Sequence, residues 1–176
     1  MPEDIKILLT KDEIGDKVKE LGELISKDYR GKNLLLVCIL KGSAVFLADL
    51  MRAIDLPCSI DFMCVSSYGD GKSSGGVVRI IKDLDVMAEK YDILIVEDIL
   101  DSGTTLSYIK KMLLQRNPKS LKICAMLDKP SKRRAEVTLD YKGFEIPDEF
   151  VVGYGLDYAE KYRNLPFVGI LKSQNV

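Results

Sequence analysis

DILIVEDILDSGTT, residues 92–105, joins an unbroken aliphatic run to three carboxylates, Glu97, Asp98 and Asp101, and then to the small-residue loop Ser102-Gly103-Thr104-Thr105. A short Ile/Leu/Val run bounded by turn residues reads as a strand buried on both faces. Leu106, Ile109 and Leu113 follow at helical spacing and predict a helix over 105–116, ending before Pro118. Buried strand, tight turn and helix make up the unit of a parallel sheet covered on both faces, in which ligands bind where the loops gather beyond the carboxyl ends of the strands.

The same unit appears upstream. LLLVCIL (34–40), bounded by Lys32-Asn33 and Gly42, predicts a strand, and SAVFLADLMRAI (43–54) a largely buried helix. Thr10-Lys11-Asp12-Glu13 reads as a capping box that opens a helix over 11–29, with Ile14, Val18, Leu21, Ile25 and Tyr29 on one face. Further strands are expected at 59–68, 77–81, 121–127, 150–155 and 166–171, and the breaker-rich GDGKSSGG (69–76) separates the first two as a mobile segment. No fixed-period repeat or linker-like stretch divides residues 1–176, so one domain is expected.

Composition narrows the chemistry. A net charge of −1 offers no broad attraction for nucleic acid or membrane, so an anionic partner has to be caught by local loops. The apolar run 34–40 is far shorter than the ~20 residues of a membrane helix, and the acidic start MPEDIK lacks the features of a secretory signal; a cytoplasmic protein is expected. The chain has no histidine, which excludes Ser-His-Asp and Cys-His catalysis. Cys38, Cys58, Cys64 and Cys124 form no C-x-x-C pair and read as reduced thiols within apolar runs.

Ser102-Gly103-Thr104-Thr105 brings free N–H groups, hydroxyls and a helix N-terminus to one spot, which suits a phosphate; helix capping by Asp101 or Ser102 accounts for the tetrapeptide equally well. It lacks the G-K-[ST] of a nucleoside-triphosphate loop. Leu40-Lys41-Gly42-Ser43 holds the equivalent place after another strand, as an anion loop or a plain turn. Together the two loops suggest a ligand with two separated anionic groups. Glu97 and Asp98 should emerge at the solvent end of their strand, since burial of unpaired charge is costly. Neighbouring strand residues face opposite ways, so the pair suits sugar hydroxyls, or a magnesium ion held partly through substrate and water, better than direct joint chelation. Asp157 with Arg163 could serve magnesium and pyrophosphate or form a surface pair; Lys129 is held near a strand end before Pro130. Lys132, Arg133 and Arg134 read as a solvated loop face, and Phe150 as a core residue opening a strand.

These stretches resemble the purine-salvage phosphoribosyltransferases over nearly the whole chain: LKGS (40–43), SSY (66–68), VEDILDSGTT (96–105), LDK (127–129) and PDEFVVGYGLDYAEKYR (147–163). VEDILDSGTT is similar to that family's signature for phosphoribosyl pyrophosphate, and EFVVGYGLDY with a following Arg to its 6-oxopurine branch. The resemblance implies the type I phosphoribosyltransferase fold, an α/β architecture whose central, mostly parallel twisted sheet is flanked by helices and carries a small hood formed by the chain ends.

It also implies transfer of a 5-phosphoribosyl group from phosphoribosyl pyrophosphate to hypoxanthine or guanine, giving IMP or GMP and pyrophosphate, with Mg2+ as cofactor and a homodimer or homotetramer as the assembly. Carried over residue by residue, Glu97 and Asp98 match the pair at the ribose hydroxyls and magnesium, and Asp101, Ser102, Gly103, Thr104 and Thr105 the 5-phosphate cradle. Asp101 also matches the general base. Lys41 and Gly42 match the pyrophosphate loop, whose preceding peptide bond is expected to be cis, and Arg163 a pyrophosphate contact. Ser67 and Tyr68 match a closing lid, Lys129 the donor to the purine 6-oxo group, Phe150 and Val151 the base pocket, and Asp157 a magnesium-associated residue beside the purine. Thr104 stands where some relatives have Lys, and Ser43 where some have a second glycine. A nucleotide-sensing regulator that binds RNA on the same fold is a competing reading, against which the isoelectric point of about 5.6 counts. The same chemistry on another base, such as xanthine or a pyrimidine, is a third.

Overall fold

The computed structural model describes residues 5–68 and 77–172, with the backbone alone described at Ser67, Tyr68 and Val77. Its elements in chain order are β1 (Ile5–Leu9), α1 (Lys11–Asp28), β2 (Leu34–Leu40), α2 (Ala44–Ala53), β3 (Ser59–Tyr68), β4 (Val77–Lys82), β5 (Asp92–Leu100), α3 (Thr104–Leu114), β6 (Ser120–Asp128), β7 (Tyr141–Glu145), β8 (Val151–Val152) and β9 (Val168–Leu171). GDGKSSGG lies outside the described residues.

Six strands form the central sheet in the order β4-β3-β2-β5-β6-β7. β2, β3, β5, β6 and β7 pair in parallel, and β4 lies antiparallel on the edge. From β2 the chain moves outward to β3 on one side, and β5 then returns to the other side of β2 and leads on to β6. The carboxyl ends of β2 and β5 therefore flank the point where the strand order reverses, which is where an open α/β sheet leaves a crevice. The expected hood is present: β1 and β9, from the two ends of the described chain, pair antiparallel, and β8 adds to β9.

Alternation explains why the central strands are apolar throughout. Leu34, Leu36, Cys38, Leu94, Val96, Cys124 and Met126 pack on one face with α1, α2 and the hood. Leu35, Val37, Ile39, Ile93, Ile95, Ile123 and Ala125 face the other way, toward α3 and Val137. On α1 the capping box is formed as expected, with Thr10 N donating to Glu13 Oε2 at 2.8 Å and Glu13 N to Thr10 Oγ1 at 3.3 Å. Ile14, Val18, Leu21, Ile25 and Tyr29 are all buried. No helix among the described residues is long and apolar enough to cross a membrane, and all four cysteines are free thiols.

Three expectations change. Strand 150–155 contracts to Val151–Val152, because Gly153, Tyr154 and Gly155 take φ of 95°, 48° and 99° and turn the chain away from the sheet. Phe150 is 53% exposed, outside the core in which the sequence placed it. β1 and β7 were not anticipated: both are short, half-buried edge strands interrupted by polar residues or glycine, which gives a weak period-2 signal.

Two glycines of α1 separate helix propensity from packing. A Cβ on Gly15 meets nothing within 4 Å, whereas one on Gly22 would lie 2.4 Å from the Ala53 carbonyl oxygen of α2. Alanine in a helix interior is favoured over glycine by about 1 kcal/mol, so Gly15→Ala should raise the melting temperature. Gly22→Ala should lower it, with a net destabilisation of about 1–3 kcal/mol, since an overpacked contact with backbone outweighs propensity. Thermal unfolding of the two variants checks both signs.

Candidate active site

Two loops meet at the reversal of strand order. The Leu40–Lys41 peptide bond is cis, as the resemblance implied. Ser43, fully buried ahead of α2, ties this loop to β5: its Oγ lies 2.8 Å from Ile39 O and 2.8 Å from Glu97 Oε2, and it accepts the Asp98 N–H at 3.1 Å. A Cβ on Gly42 would fall 1.6 Å from Asp98 Oδ2, so any larger residue would push this carboxylate aside. The glycine of one loop is thus the space for the carboxylate of the other.

Glu97 and Asp98 line different cavities, as the pleat of a strand demands. Glu97 borders a cavity of about 230 Å³ with Asp101, Ser102, Gly103 and Thr105. Asp98 borders one of about 340 Å³ that also receives Lys41, Gly42, Asp101, Lys129, Phe150, Val151, Asp157 and Arg163. Burial, with Asp98 beside it, pushes Glu97 well above the usual carboxylate range, and the Ser43 bond opposes this only in part. The Ser43 hydroxyl has one proton for two acceptors, Ile39 O and Glu97 Oε2, so an ionised Glu97 is incompletely served. Burial also raises Asp98 to about 6, against the Ile99 N–H and the Arg163 charge, which favour its ionised form. Among the described residues no three His, Cys, Asp or Glu gather as ligands of a metal ion. Facing different cavities, the two do not chelate one ion together; either could hold a hard cation whose remaining ligands are water and substrate oxygens.

Helix capping at Ser102-Gly103-Thr104-Thr105 is weak. α3 starts behind Gly103 in the left-handed conformation at φ 78°, with no side-chain cap and no acidic residue in its first turn. Only a long 3.4 Å contact links Ser102 Oγ to Thr104 N. The N-terminal N–H groups and the positive end of the helix dipole are left facing the smaller cavity.

Arg133 does not belong to a solvated face. Its Nε donates to Asp101 O at 3.2 Å and its Nη1 to Val137 O at 3.2 Å, while Nη2 pairs with Asp128. Arg134 N and Ala135 N both donate to Ser102 O. The segment after β6 therefore braces the loop 101–103 from behind. An isolated basic triplet in the sequence gives no sign of this contact, which spans 32 residues.

Lys129 is buried, and its Nζ donates to Glu149 O at 2.9 Å, which leaves two of the three ammonium protons for the larger cavity. Phe150 meets Tyr158 edge-on at 5.7 Å between centroids and offers an open aromatic face nearby. Asp157 and Arg163 pair at 2.8 Å, and Arg163 Nη1 donates to Gly155 O at 2.8 Å. A Cβ on Gly155 would fall 2.0 Å from Gly42 O, so the hood loop rests directly on the 41–43 loop. Ser67 and Tyr68 end β3, where they pair with Val78 and Val77; the rest of the expected lid lies outside the described residues. A larger cavity of about 560 Å³ between α1, α2 and residues 163–166 is mainly apolar. Its carboxylate, Asp49, is taken up by Tyr154 and Arg52, so the chemistry gathers in the smaller cavities.

A family model described as phosphoribosyl transferase domain matches residues 4–159. The chain is 54% identical over 173 residues to the hypoxanthine-guanine phosphoribosyltransferase of Bacillus subtilis, covering 98% of this chain and 96% of the relative. It is 51% identical to the bifunctional protein TilS/HprT of Listeria monocytogenes over 96% of this chain, but spans only about a quarter (26%) of that relative's length. Among solved structures, a hypoxanthine phosphoribosyltransferase from Staphylococcus aureus superposes with a TM-score of 0.93 at 55% identity, covering 96% of this chain and 92% of the other.

The half-buried acids Glu97 and Asp98 set a pH dependence of stability. With Asp98 at about 6 when folded, against an ordinary value of 3.8, the folded state holds the proton more tightly than the unfolded chain. Stability therefore falls as pH rises from about 4 to about 6 and stays lower above that. Asp98→Asn, which keeps an acceptor for the Ile99 N–H, should stabilise the ligand-free protein at pH 7 by on the order of 1–3 kcal/mol. The gain should vanish near pH 4. Denaturant melts of both proteins at the two pH values check it.

Proposed function

The chain belongs to the phosphoribosyltransferase family, on its hypoxanthine-guanine branch, and from that membership we propose that it transfers the 5-phosphoribosyl group of phosphoribosyl pyrophosphate to hypoxanthine or guanine, giving IMP or GMP and pyrophosphate. The observation that carries this reading is the position of Asp101. It borders both the phosphate-type cavity beside the α3 N-terminus and the larger cavity that holds Lys129, Phe150, Lys41 and Arg163. A ribose that carries an anion at each end, with a separate planar base entering the larger of these two cavities, fits the pair better than any single phosphate.

In this reading the 5-phosphate lies on the N–H groups and hydroxyls of 102–105, and the pyrophosphate on Lys41, Gly42 and Arg163. Bond breaking leaves positive charge on the ribose ring and negative charge on the departing pyrophosphate. Lys41 and Arg163 stabilise the latter, while Glu97 and Asp98 hold the ribose hydroxyls in place. Magnesium, when bound, adds charge neutralisation on the leaving group, and Glu97, Asp98 and Asp157 are the residues that would hold it, with water and donor oxygens. Phe150 and Val151 bound the base, and Lys129 donates to its 6-oxo group. Asp101 accepts the proton that the purine imidazole ring loses as the new bond forms. Closure over Ser67 and Tyr68, exclusion of water, assembly as a homodimer or homotetramer, and a cytoplasmic setting complete the proposal.

The direct test is incubation with magnesium, phosphoribosyl pyrophosphate and each of hypoxanthine, guanine, xanthine, adenine and uracil, following nucleotide formation. Product from the 6-oxopurines is expected, and none from any base would overturn the proposal. Asp101→Asn should lower kcat about 100-fold or more while leaving donor binding nearly intact. Lys129→Ala should raise the purine KM about tenfold or more, the usual consequence of losing a hydrogen bond from a charged donor.

A further inference from the structure

Glu160 has no role in the scheme above, yet it touches both cations assigned to pyrophosphate. Its two carboxylate oxygens each lie 3.2 Å from Lys41 Nζ, and Oε2 lies 3.7 Å from Arg163 Nη2. Lys41 and Glu160 are 119 residues apart, so the tertiary fold rather than local spacing brings them together. The loop that presents Glu160 is tightly turned: Ala159, Glu160 and Tyr162 have φ of 50°, 62° and 77°, uncommon for residues with a Cβ. Glu160 N donates to Asp157 Oδ2 at 2.9 Å, and Tyr158 and Lys161 pair across the turn. These bonds hold a negative group over Lys41, while Asp157 pairs more closely with the same Arg163 nitrogen that Glu160 approaches.

We propose that Glu160 is a stand-in for pyrophosphate that sets the affinity of this site: its carboxylate covers Lys41 and Arg163 when no ligand is bound, gives way when pyrophosphate or the ribosyl donor arrives, and returns as pyrophosphate leaves. The inference rests on the phosphoribosyl-transfer reading for its ligand. Exposure suits the role. The Lys41 and Glu160 side chains are 64% and 66% exposed, so their pair is weak, screened by salt and broken without disturbing the core. A buried pair at the same place would lock the cations rather than compete for them.

The test is calorimetric titration of three proteins with magnesium pyrophosphate at low ionic strength: wild type, Glu160→Gln and Glu89→Gln. Glu89 lies exposed in the turn Ala88–Lys90 ahead of β5, at the other end of the sheet, so its variant removes the same charge far from the site. Glu160→Gln should bind pyrophosphate about two- to fivefold more tightly, the scale of an exposed ion pair, and Glu89→Gln as wild type does. The gain should shrink in about 0.5 M salt. In the transfer assay the donor KM should fall with the pyrophosphate inhibition constant while the purine KM stays put. Unchanged or weaker pyrophosphate binding by Glu160→Gln, or an equal gain in Glu89→Gln, would overturn the proposal. A wild type that binds pyrophosphate but makes no nucleotide would instead sink the transfer reading, and the titration would still decide the role of Glu160.

Discussion

Ser43 Oγ stands between Ile39 O, Glu97 Oε2 and Asp98 N where β2 and β5 part company in the sheet, and this contact makes one site out of two strand ends. A parallel sheet that reverses its strand order leaves a crevice there whatever its sequence. What fills the crevice depends on how closely the two loops approach. The buried hydroxyl and the missing Cβ of Gly42 let Asp98 stand against the 41–43 loop, with Gly155 of the hood loop closing on the same glycine from above. Three backbones converge, and the side chains around them have little freedom to be elsewhere.

That closeness has an energetic cost. Glu97 and Asp98 sit at the end of a strand whose preceding residues are fully buried, and both are held toward the protonated form by burial. Cations are near but not in contact: Arg163 is engaged by Asp157 and Gly155, and Lys41 by Glu160. The arrangement suits a ligand that brings hydroxyls and a hard cation to the acids and anions to the lysine and arginine. Local stability is given up in the free protein for complementarity to what binds.

Much of this was legible in the chain because strong local signals coincide with tertiary roles. The run 92–96 can only be buried on both faces, the TKDE box can only open a helix, and glycine with hydroxyls between strand and helix leaves an N-terminus open. Where local signals are weak, tertiary contacts decide. β1 and β7 are edge strands with little alternation. The strand at 150–155 has the right residue types but a backbone bent by successive positive φ values. Arg133 looked like one of three loop cations, and its grip on the Asp101 carbonyl exists only because β6 ends beside β5.

The sequence by itself determined the alternation of buried strands with helices and the kinds of side chain at the strand ends, because hydrophobic periodicity, caps and turn residues act over a few positions. Only the tertiary structure decided that Glu97 and Asp98 face separate cavities with Asp101 between them, that Arg133 braces the phosphate-type loop, and that Glu160 lies on Lys41. Those facts depend on strand order and on contacts between residues 32 and 119 positions apart, distances over which no local pattern in a single chain carries information.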